Sequence, residues 1–138
     1  MSSTPQLWID ACTKAHQRLL NVARDLTDAQ ARGPSLLPDW TAGHLLTHLA
    51  RNADANTGMA EAAQRGEVAP MYPGGQAQRE ADIASGHGRP AAELVADLKD
   101  AIQRLERAWS ATAEEAWATG LGRAFGGLRA IGFTVLMR

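Results

Sequence analysis

The chain has a single cysteine among 138 residues, so no internal disulfide can form. That suits a reducing compartment, and the expected address is the cytoplasm. It lacks an excess charge: the formal net charge is -1. This argues against a broad electrostatic footprint for nucleic acid or an anionic membrane. It has no apolar run long enough to span a bilayer. Its start has neither the basic residues nor the apolar stretch of a secretory signal. Aromatics make up only 5% of the chain, and β-branched residues are few against abundant alanine. Helix is therefore favoured over sheet. There is no repeat of 20–50 residues and no low-complexity tract. Ser/His/Asp groupings, a CxxC pair and a phosphate-cradling glycine loop are missing as well.

What the chain does have is helical patterning. Thr4 and Pro5 read as N-cap and first residue of a helix over 5–26. Its stripe is Trp8, Cys12, Ala15, Leu19, Val22 and Leu26. Cys12 there reads as a small buried hydrophobe rather than a reactive thiol. Residues 27–39, with Gly33, Pro34 and Pro38, read as a connection. Asp39 then caps a second helix running over 40–65, with Leu45, Leu49, Ala53 and Ala60 on one face. A Gly- and Pro-rich stretch follows from Gly66 to Arg89, with room for a short helix near 76–84. Loops of that length are often functional. Pro90 opens a third helix over 90–111 on the stripe Leu94, Leu98, Ala101, Leu105 and Ala108, with Val95, Ile102 and Trp109 alongside. Asp100 and Arg104 read as a solvated i,i+4 pair. Leu128, Ile131 and Val135 place a shorter fourth helix over 126–138. The increasingly apolar end, without a C-cap, is expected to continue into a longer helix in a longer chain and to leave apolar surface uncovered.

Chemistry concentrates in the second helix. His44 and His48 are four residues apart, so both imidazoles share one face, beside the apolar one. Arg51 and Ala55 continue that stripe. Neutral imidazole is a common zinc ligand, but a zinc site takes at least three protein ligands. His16, one position off the first stripe, reads as structural, and His87, in a Gly-flanked loop, as solvated. By itself the pair remains open between a metal site and an ordinary surface or core feature.

The surrounding residues narrow this. The stretch Trp40–Asp54 resembles the N-terminal domain of the mycothiol-dependent maleylpyruvate isomerases. So do Met71-Tyr72-Pro73 followed by Arg79–Ile83, and Gly88–Leu98. The resemblance covers most of the chain, taken as one domain over residues 1–138, and implies an all-α, DinB-like four-helix bundle, its fourth helix cut short. It implies zinc and mycothiol as cofactors and a small carboxylate as substrate, isomerised between cis and trans. A DinB-like thiol S-transferase and a non-catalytic helical binding domain are the alternatives. By this resemblance His48 is a metal ligand, and His44 and Asn52 line or support the site. Arg79, in the loop after Tyr72, and Arg51 are the expected substrate-binding cations. The family's other two ligands sit in a Glu-x-x-x-His motif on the fourth helix. That motif is absent here, as is the family's smaller C-terminal domain. The expectation is that the motif follows Arg138, and that this chain alone is inactive.

Overall fold

The computed structural model describes residues 2–138. It is mainly helical, in the order α1 (Gln6–Ala23), α2 (Asp28–Arg32), α3 (Ala42–Gln64), β1 (Ala69–Pro70), α4 (Gly75–Gly86), α5 (Ala91–Ala111), α6 (Glu114–Thr119), β2 (Leu121–Ala124), β3 (Gly127–Ala130) and α7 (Ile131–Met137). The three long helices fall where apolar periodicity puts them, a few residues shorter at their ends.

Helix α3 is the centre of the molecule. It packs most extensively on α5 and also meets α2, α4, α7 and the sheet. Its core face is built from small residues, Ala50, Ala53, Ala60 and Ala63. These let Leu94, Leu98, Ile102 and Leu105 of α5 come in close, and all four are essentially inaccessible. Each such burial contributes about 1.5–3 kcal/mol of transfer free energy. Leu46, rather than the expected Leu45 and Leu49, opens the buried stripe of α3. Helix α1 is likewise rotated from its expected face. Ile9, Cys12, His16, Leu19 and Ala23 turn inward, whereas Val22 is 80% exposed and Ala15 faces solvent. The ring of His16 stacks on Trp109 at 6.2 Å, and its Nδ1 meets Glu106 Oε1 at 3.0 Å. Its polar nitrogen is thereby satisfied, so a histidine substitutes for an apolar stripe residue. Arg104 reaches Asp54 on α3 at 2.8 Å rather than pairing with Asp100.

The segment 121–130 corrects the expectation of a helix from 126. It is a β-hairpin, with Ala124 opposite Gly127, and β1 joins β2 in parallel to make a small three-stranded sheet. Phe125 and Gly126 form the two-residue loop with φ of 52° and 77°. Positive φ at both positions is the type I′ pattern that matches strand twist. The apparent stripe Leu128, Ile131, Val135 straddles a boundary: Leu128 is exposed on β3, while Ile131 and Val135 are buried in α7. Residues 27–39 also hold an unexpected short helix, α2, closed by a reciprocal Thr27–Gln30 capping box.

Candidate functional site

The start of α3 is organised by a histidine. Thr41, not Asp39, is the N-cap, and Asp39 sits outside the helix with φ 64°. Thr41 Oγ1 accepts from the His44 amide at 3.2 Å, and His44 Nδ1 accepts from the Thr41 amide at 3.0 Å. His44 thus occupies the place of the glutamate in a capping box. Its ring lies between Trp40, 6.0 Å away, and His87, 3.7 Å away and nearly parallel. Close approach at Gly43 makes this stack possible, since a Cβ there would meet the His87 carbonyl oxygen at 2.2 Å. His44 therefore braces α3 against the α4–α5 corner and does not line the cavity described next. His87 is a stacked partner rather than a solvated loop residue.

One turn on, His48 does face a cavity of about 780 Å³. Helix α3 supplies His48 and Asn52, the segment after β1 supplies Met71 and Tyr72, and α4 supplies Gln76 and Arg79. The hairpin closes the far side with Arg123 and Phe125. Arg79 lies on α4, in its second turn, rather than in a loop. Its Nη2 is 3.2 Å from His48 Nδ1, and its guanidinium lies 5.7 Å from the centre of the Tyr72 ring. Asn52 Nδ2 donates to Tyr72 Oη at 3.0 Å, and the buried Asn56 donates to the Asn52 carbonyl at 2.9 Å. The Tyr72–Asn52–Asn56 chain fixes the floor of the cavity. Tyr72 and Asn56 were not foreseen as site residues; i,i+4 spacing of two asparagines was the available signal.

Arg51 is elsewhere engaged. It pairs with Asp97 at 2.5 Å and with Asp54 at 3.2 Å, while Arg89 holds the other Asp97 oxygen at 2.9 Å. These two guanidiniums hold the Asp97 carboxyl below the usual carboxylate range despite its partial burial. Arg51 is thus a strut between α3 and α5, and it does not line the cavity of His48.

The electrostatics of the cavity are one-sided. Burial first, then the fields of Arg79 and Arg138, push the His48 pKa below its ordinary value. An arginine only donates, so the neutral His48 ring accepts at Nδ1 and carries its proton on Nε2. Arg138 itself is half-buried, its inaccessible Nε and Nη2 without hydrogen-bond partners, and desolvation lowers its pKa. Cys12 donates to the Val135 carbonyl at 3.4 Å, and burial pushes its thiol up. It is a packed thiol, as its position in the α1 stripe suggests.

The residues present do not make a zinc site. Among the described residues there is no cluster of three His, Cys, Asp or Glu side chains placed to hold a metal ion. His48 offers one imidazole, with Nδ1 already facing a guanidinium. A dication beside Arg79 and Arg138 would gain no carboxylate or thiolate from the lining.

The fold is that of a known family. The family model for the mycothiol maleylpyruvate isomerase N-terminal domain matches residues 12–138. The chain belongs to this family. Two solved structures show the same fold. One is the mycothiol-dependent maleylpyruvate isomerase, 27% identical, with a TM-score of 0.89. The other is a histidine-to-alanine mutant of the mycothiol-dependent maleylpyruvate isomerase, 26% identical, with the same TM-score. Each alignment covers 96% of this chain and 55% of the solved one, so the chain spans about half the length of these relatives. No curated protein sequence matches. The chain is thus related to an enzyme family whose name carries both the thiol and the substrate. None of its described helices is long and apolar enough to cross a membrane.

Proposed function

We propose that this chain forms the substrate-facing wall of a mycothiol-dependent cis–trans isomerase acting on maleylpyruvate-type acids. The observation that carries the reading is the cavity of His48: its lining has two arginines, a neutral histidine and no carboxylate. Such a lining attracts a small anion, and its volume lies within the range of ordinary ligand sites. Arg79 is assigned to a substrate carboxylate, which its fork can bind through two hydrogen bonds. Asn52, held by Tyr72, is assigned to the cavity floor. The isomerisation itself needs no net exchange of atoms. When bound, the thiol would supply a nucleophile able to add reversibly to the activated double bond, so that the bond could turn while single and re-form trans as the thiol is released. Arg79 serves this sequence by fixing one end of the substrate while the other turns.

Among the described residues this chain's own lining gathers no zinc site, and His48 is assigned instead to hold the Arg79 guanidinium in place through Nδ1. A thiol cofactor and a lone cysteine suit the cytoplasm. The test is isomerisation of maleylpyruvate by the protein as its host makes it, with and without mycothiol. Activity that requires mycothiol and drops about 10–100-fold in Arg79→Gln supports the reading, a loss of the size expected for a hydrogen bond to a charged group. Activity indifferent to mycothiol, or thiol transfer to a different acceptor in its place, would overturn it.

A further inference from the structure

Binding a diacid calls for two cations, and Arg51 is consumed by Asp97 and Asp54. The cavity holds another candidate, which neither periodicity nor resemblance singles out. Arg123 lies on the middle strand of the small sheet, opposite Pro70 of β1 and Leu128 of β3. Its carbonyl oxygen accepts from the Met71 amide at 2.8 Å, so its backbone is held on both sides. Strand alternation buries Gly122 and Ala124; a Cβ on Gly122 would meet the Met59 sulfur. Arg123 therefore lies on the face of the strand opposite Gly122 and Ala124, exposed, and the residue borders the cavity with Arg79. Arg24, Arg51, Arg65, Arg89 and Arg104 each have a carboxylate partner. Among the described arginines without such a partner, Arg79 and Arg123 line the cavity, and no Asp or Glu there neutralises them. The wall also includes Met71, Tyr72 and Phe125.

The geometry points to Arg123 as a second carboxylate anchor: Arg79 holds one end of a short diacid and Arg123 the other. This rests on the reading above that the cavity binds the acid substrate. It adds a selection rule, because a monoacid uses only one anchor. Each carboxylate meets a separate fork, one mounted on a helix and one on a strand, so the distance between them sets which diacids fit. Arg123 keeps contact with solvent, so its grip should weaken with added salt.

The test is calorimetric titration of this chain with maleate, monomethyl maleate and inorganic phosphate. Wild type should bind maleate about tenfold more tightly than the monoester. Arg123→Gln should erase that preference by weakening maleate, with the monoester changed less than twofold; Arg123→Lys should restore part of it. Circular dichroism confirms that each variant is folded. Equal loss of both ligands in Arg123→Gln, no loss of either, or absence of maleate binding in wild type would overturn the assignment. So would phosphate binding as tight as maleate, since the two arginines would then converge on one anion. The activity assay stands apart. Maleate selectivity without isomerisation would sink the functional reading and leave Arg123 in place; isomerisation with an indifferent Arg123→Gln would do the reverse.

Discussion

Two histidines one turn apart do different work. His44 belongs to the helix cap and the stack with His87, whereas His48 belongs to the cavity. His44→Ala should therefore cost about 1 kcal/mol of folding stability, the usual magnitude for a lost cap, measured by urea unfolding. It should leave maleate binding within about twofold of wild type. His48→Ala should weaken that binding while the fold survives, because His48 holds Arg79 in the cavity. Unchanged maleate binding in His48→Ala with loss in His44→Ala would reverse the assignment. His48, Asn52 and Arg79, which the resemblance singles out, line one cavity. Arg51 was misplaced because a sequence shows a helix face but not the carboxylate that an opposite helix brings to it. Asp97 lies 46 residues away in the chain and still captures that guanidinium. Arg123 was overlooked for the opposite reason, since one arginine in a short strand has no pattern of its own.

At the level of elements, the long helices were readable because burial imposes a period of 3.6 over four or more turns. Helix α5 shows this best. Its stripe Leu94, Leu98, Ala101, Leu105 is buried as spaced. Leu98→Ala should destabilise the chain by about 2–5 kcal/mol, read as a fall in the urea midpoint. A change under 1 kcal/mol would show that α3 and α5 pack less closely than the structure has them. The hairpin was not readable by the same means. Its strands are four residues each, and a three-residue spacing across the β3–α7 boundary imitates a helix. The better signal was Phe125-Gly126-Gly127 between alternating residues. Phe125 holds a left-handed φ that a bulky side chain adopts at a cost of about 1–2 kcal/mol. Phe125→Asn should thus raise the melting temperature by a few degrees, asparagine being favoured before glycine in this turn. An unchanged or lower melting temperature would mean that apolar contacts of Phe125, such as its edge-on packing with Phe133, outweigh the backbone.

Across the whole molecule, three histidines are held less basic than in a free chain. For His16, His44 and His48 alike the largest cause is burial, opposed at His16 by the Glu106 carboxylate. The unfolded chain protonates these rings first, near pH 6.5. The stability they confer is therefore complete above that pH and is lost as pH falls through the lower folded-state values. Urea midpoints should decline from pH 7.5 to 5, more steeply than in a His16→Gln, His44→Gln double variant. Equal slopes would remove the histidines as the source. Metal behaviour is also a property of the whole. Dialysed protein of these 138 residues should carry far less than one zinc per chain by mass spectrometry. Tightly held stoichiometric zinc would mean that the chain rearranges to supply ligands not gathered in this structure.

Helix α3 turns one face to the core and another to the cavity, and this has a thermodynamic corollary. Occupying the cavity and unfolding the core compete for the same helix. A ligand that binds only the folded chain must therefore protect α5 as well as its own pocket. At one hundred times its dissociation constant the protection is about 2.7 kcal/mol. Maleate should thus partly rescue Leu98→Ala in a thermal melt, although no atom of the ligand approaches that leucine. The same concentration should give Arg79→Gln almost no rescue. Melting curves of a core variant then report on occupancy of the cavity, without any assay of turnover.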